Sequence, residues 1–134
     1  APHPLERSLV GIVDDDAAVR RSLFRLLQIE GCEPEMFDSA EAFLARQQPK
    51  SHGCLLLDVT LPGLDGLELQ RRLVETGTKL PIIFMTGNDD VSKELRAIEA
   101  RAVAFLKKPM TAETLLAAIR TAIGADDLGS PRST

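Results

Sequence analysis

Residues 54–66 read CLLLDVTLPGLDG, from Cys54 to Gly66. The apolar run Leu55-Leu56-Leu57 stops abruptly on Asp58, and Pro62, Gly63, Asp65 and Gly66 follow. A short apolar run bounded by turn formers reads as a strand buried on both faces. Asp58 then sits at that strand's carboxyl end, where open α/β sheets place their binding crevices.

Outward from this stretch, other segments repeat the pattern. Leu9 to Val13 is a buried-strand pattern that ends on Asp14-Asp15-Asp16. Leu80 to Met85 is another and ends on Thr86, Gly87, Asn88, Asp89 and Asp90. Val103 to Leu106 ends on Lys107-Lys108-Pro109, and Cys32 to Phe37, interrupted by Pro34, suits an edge strand. Helical spacing fills the intervals. A first helix begins at an Asp16 cap, places Val19, Leu23, Leu26 and Leu27 on one face and stops at Gly31. A second runs from Ala40 to about Gln47 behind a Ser39 cap, with Glu41 in its first turn and Phe43 and Leu44 inward. A third, Leu67 to Glu75 behind Asp65, buries Leu67, Leu73 and Val74 and breaks at Gly77. A fourth spans about Val91 to Ala100. The last, capped by Thr111, buries Leu115, Leu116, Ile119 and Ile123 and is expected to stop at Gly124. Five strands alternating with five helices predict an α/β, doubly wound, three-layer sandwich on a parallel five-stranded sheet. Residues 1–7 read as a flexible leader, 8–124 as one domain and 125–134 as a tail or the start of a linker.

The totals narrow the function classes. The chain has 134 residues, 44% hydrophobic and 27% charged, which suits one soluble globular domain. A net charge of -4 gives no general electrostatic case for nucleic-acid binding. No apolar run approaches the roughly 20 residues of a membrane span, and no signal peptide opens the chain. Two cysteines without CxxC spacing, Cys32 and Cys54, read as reduced and buried in a cytoplasmic protein. Two histidines, His3 and His52, leave little for histidine-based metal or acid–base schemes.

A parallel sheet brings all strand carboxyl ends to one edge, so Asp14, Asp15, Asp58, Thr86 and Lys108 should meet there. Carboxylates crowded in a partly dehydrated cleft repel, and without a cation some would take up a proton. A hard divalent ion such as magnesium resolves this through oxygen ligands. Lys108 adds a positive charge and Thr86 a hydroxyl. That set suits phosphoryl transfer, in which an Asp can be the covalent acceptor.

VDDD at 13–16, DVTLPGLDG at 58–66, MTG at 85–87 and KKP at 107–109 together resemble a response-regulator receiver domain over about residues 8–124. The resemblance implies the CheY-like, flavodoxin-like strand order 2-1-3-4-5. It implies that Asp58 accepts a phosphoryl group from a phosphohistidine on a sensor histidine kinase. Magnesium (or manganese) would be ligated by Asp15, Asp58 and the Thr60 backbone carbonyl, with Asp14 acting through water. Thr86 and Lys108 would hold phosphoryl oxygens, and Lys108-Pro109 would be a cis peptide. Thr86 and Phe105 fall at the family's switch positions, Thr60 and Asn88 at positions that tune dephosphorylation. The switch would remodel the face made by the fourth helix, last strand and fifth helix, which carries Lys93, Arg96, Glu99, Arg101 and Lys107. That face would serve a homodimer, an output domain or an effector protein. TGNDDV resembles receivers fused to helix-turn-helix output domains, so transcription is the implied output. Direct nucleic-acid binding by this chain is not expected, nor is membrane binding.

Singly, these residues have plainer readings. An Asp at a strand end caps helices, Lys107-Lys108 suits a solvated pair, and Phe105 suits a core. Pro62, Gly63, Asp65 and Gly66 suit turn and cap duty. Their convergence on one edge favours a site. A phosphatase resembling the haloacid dehalogenase superfamily, with Asp14 as nucleophile in Asp14-Asp15-Asp16, is the rival enzyme reading; it leaves Asp58 idle. A phosphate-independent docking module is the third class, and a flavin binder lacks a phosphate loop after the first strand.

Overall fold

The computed structural model describes residues 7–46, 52–87 and 102–129, the last five by backbone alone. Five strands form one parallel sheet: β1 (Leu9–Val13), β2 (Glu33–Phe37), β3 (Cys54–Asp58), β4 (Ile82–Thr86) and β5 (Ala104–Lys107). Their order is β2-β1-β3-β4-β5, with β2 and its Pro34 at an edge. Helices α1 (Ala17–Ile29), α2 (Ala40–Ala45) and α3 (Gly66–Glu75) and the C-terminal helix (Ala112–Gly129) connect or follow them.

Alternation along the strands builds two cores. Val10, Ile12, Cys54, Leu56, Ile83 and Met85 face Leu23 and Leu27 of α1 and Leu115, Leu116 and Ile119 of the C-terminal helix. Val13, Leu55, Leu57 and Phe84 face Ala40 of α2 and Leu67, Leu69 and Leu73 of α3. β3 is buried along its whole length, as a central strand covered on both faces requires.

The expected caps are in place. Asp16 accepts the amides of Ala18 and Val19, Ser39 that of Ala42, Asp65 that of Glu68 and Thr111 that of Thr114. Gly31 and Gly77 take the left-handed φ that ends α1 and α3.

Three expectations fail. Val74 is 64% exposed, because the inward stripe of α3 runs through Gly66, Leu69, Gln70 and Leu73 and leaves Val74 on its margin in the last turn. Leu44 is 37% exposed, since Phe43 takes the inward position on the six-residue α2. Gly124 does not stop the last helix, which continues to Gly129. A glycine weakens a helix but ends it only by leaving helical φ, and Gly124 lacks the left-handed φ of Gly31 and Gly77. The expected fourth helix, Asn88, Lys93, Arg96, Glu99 and Arg101 lie outside the described residues, as do residues 1–6.

Candidate phosphoryl and metal site at the carboxyl edge of the sheet

Register places the functional side chains. Val13 pairs with Leu57, so Asp14 and Asp58 leave neighbouring strands at the same level. Asp58 pairs with Met85, which puts Thr86 one residue beyond, and Thr86 pairs with Lys107, which puts Lys108 beyond that. Topology thus brings Asp14, Asp15, Asp58, Thr86 and Lys108 to one edge.

Lys108 binds two carboxylates there. Its Nζ donates to Asp14 Oδ2 at 2.6 Å and to Asp58 Oδ2 at 3.1 Å. Asp14 is fully buried; its Oδ1 accepts the Asp16 amide at 2.9 Å. Asp58 is 6% exposed, and its Oδ1 accepts the Thr60 amide at 3.0 Å. Asp15 is exposed, and one carboxylate oxygen from each of Asp14, Asp15 and Asp58 lies within 4.8 Å of the others.

The electrostatics follow from this packing. Burial pushes the Asp58 carboxyl above its ordinary pKa; the Thr60 amide and Lys108 ammonium oppose the rise, and the Asp14 charge adds to it. Burial pulls Lys108 down, but the Asp14 hydrogen bond and the charges of Asp58 and Asp14 outweigh it and leave its pKa raised. Three carboxylates against one ammonium make a formally negative cluster of hard oxygen donors, with no histidine or thiol among them. Such a set fits magnesium or manganese better than a soft metal.

The remaining predicted residues divide. Thr86 is buried at the end of β4, and its carbonyl accepts the Lys108 amide at 2.7 Å. Thr60 is exposed beside Asp58. Phe105 is half-buried, its ring centroid 6.2 Å from that of Phe84 on β4. The Lys108–Pro109 peptide is cis.

Two contributors were not legible in sequence. Arg20 of α1 donates to the Asp14 carbonyl at 2.7 Å. Gly66, read as turn and cap, underlies the site: a Cβ there would stand 2.5 Å from the Asp58 carbonyl oxygen and 2.9 Å from Val59 Cα.

This fold and edge define a class. Residues 10–120 match the response regulator receiver domain family, and the chain belongs to it. Among named relatives, the response regulator protein TmoT of Ectopseudomonas mendocina is 44% identical over 118 residues, 88% of this chain and 54% of its own length. The transcriptional regulatory protein FixJ of Bradyrhizobium diazoefficiens is 44% identical over 112 residues, 84% of this chain and 55% of its own length. The solved response regulator StyR superposes with a TM-score of 0.84 at 40% identity, covering 91% of this chain and 62% of that one. FixJ-N superposes at 0.82 with 37% identity, covering 89% and 95%. The chain spans about half the length of the curated relatives it matches. It is a receiver domain of the two-component response-regulator class.

Proposed function

We propose that Asp58 accepts a phosphoryl group from the phosphohistidine of a sensor histidine kinase, catalysing the transfer from its own side of the site. The observation that carries this is Asp58 itself: a carboxylate at the tip of the central strand, within 3.1 Å of the Lys108 ammonium. An Asp58 oxygen attacks phosphorus, the P–O bond forms as the P–N bond breaks, and the electron pair returns to the imidazole, which takes a proton from solvent. Thr60, through its amide, holds the other Asp58 oxygen. Lys108 neutralises charge on the transferring group, and the Thr86 hydroxyl donates to a phosphoryl oxygen. Asp15, Asp58 and the Thr60 carbonyl, with Asp14 through water, would hold magnesium or manganese, which when bound offsets the charge of the phosphoryl oxygens.

The phosphoryl group adds about -2 charge and three acceptor oxygens. Thr86 moves toward it, draws residues 86–90 along, and Phe105 follows. Register supports the coupling, since Thr86 pairs with Lys107 two residues past Phe105. A full switch needs about 5.5 kcal/mol of differential stabilisation. A few charge-assisted hydrogen bonds, at about 1.5–3 kcal/mol each, supply it. The remodelled face of the expected fourth helix, β5 and the C-terminal helix then controls an output in the cytoplasm, by dimerisation or through a transcriptional output domain. Thr60 and Asn88 set the lifetime of the phosphoryl group, and self-catalysed hydrolysis resets it.

Intact mass after incubation with acetyl phosphate tests the reading. The expected result is one magnesium-dependent phosphoryl adduct, absent in Asp58→Asn. An adduct that survives in Asp58→Asn and vanishes in Asp14→Asn would overturn it. Light scattering on the adduct checks dimerisation, which an unchanged monomer would exclude.

A further inference from the structure

We infer that Glu41 is a positioning residue for the phosphorylation loop, holding the segment between Asp58 and α3 from the neighbouring helix. Glu41 Oε2 accepts the Leu64 amide at 3.0 Å, a contact spanning 23 residues of sequence. The carboxylate lies flush on the turn. Gly63 has a left-handed φ of 72°, and a Cβ there would stand 2.6 Å from the same oxygen. The loop's other hydrogen bonds lie at its ends: Thr60 to Asp58, Gly66 to the Val59 carbonyl at 3.2 Å, and Asp65 to Glu68. Among the described residues, the bond to Glu41 is the one hydrogen bond made by residues 61–64.

The base that carries Glu41 is firm. Ala40 beside it is fully buried, Ser39 caps α2, and Phe43 packs edge-on against Phe37 of β2 at 5.1 Å. The Leu64 amide holds the Glu41 carboxyl below its ordinary pKa, so the acceptor is charged throughout the neutral range. α2 contributes no group to the acidic cluster, yet through Glu41 it sets where the loop bearing Thr60 rests. The inference relies on the proposed receiver site.

The test is magnesium titration by calorimetry of the wild type, Glu41→Ala and Glu41→Gln, with acetyl phosphate uptake followed by intact mass. Glu41→Ala should lose roughly threefold in magnesium affinity and uptake rate, the effect of one solvent-accessible hydrogen bond. Glu41→Gln removes the charge but keeps an acceptor oxygen, and should restore both. Magnesium affinity unchanged in Glu41→Ala, or a loss as large in Glu41→Gln, overturns the inference. A wild type that neither binds magnesium nor takes up phosphate overturns the receiver site itself, and this inference with it.

Discussion

At the residue scale, the site is a compromise between burial and charge. Asp58 is buried, with the Lys108 ammonium 3.1 Å from its carboxylate. In the metal-free protein, burial dominates and its folded-state pKa is raised. The sign follows: a raised folded pKa means that the native state binds the Asp58 proton more tightly than the unfolded chain does. The associated stability is fully present below the ordinary carboxylate pKa and is lost as pH rises through the raised one. Urea denaturation of metal-free protein should therefore show stability falling across that window, and Asp58→Asn should flatten it. Equal slopes in the two proteins would show that Asp58 is not the group responsible. Each candidate carboxylate was legible in sequence because a strand that ends on an acid is visible as text. The partners of those carboxylates were not. Arg20 reaches the Asp14 carbonyl, and Gly66 lies beneath the Asp58 carbonyl, through space that no local pattern records.

At the element scale, caps and strands followed the sequence closely, because both depend on a few adjacent residues. Helix ends and burial margins depend on what lies alongside. Gly124 shows the difference. In sequence it resembles the terminators Gly31 and Gly77, but the helix passes through it, and a Cβ there would meet nothing within 4 Å. Gly124→Ala should consequently stabilise the protein by about 0.5–1 kcal/mol, read from the urea midpoint. A destabilised variant would restore the stop at residue 124. Val74 and Leu44 went wrong for a related reason. Helical spacing identifies an apolar stripe, but where the stripe ends is decided by the reach of the sheet beneath it.

For the whole molecule, the two helical layers that seal the sheet also govern its chemistry away from the site. Cys32 and Cys54 are both buried free thiols, and burial, then the nearby Cys32, pushes Cys54 up to about 12. The folded protein should resist alkylation of Cys54 at neutral pH, with mass-detected labelling appearing only across the urea transition; rapid native labelling would contradict this packing. The sequence alone determined the βα alternation, the central strand and the acidic, threonine and lysine positions at strand ends. These are local, written in periodicity and in abrupt changes from apolar to polar. Only the tertiary structure decided that Lys108 bridges Asp14 and Asp58, 94 and 50 residues away, and that Glu41 braces Leu64. Such contacts are set by strand order and register, which place distant residues within 3 Å or so of one another and leave no trace in their immediate neighbours.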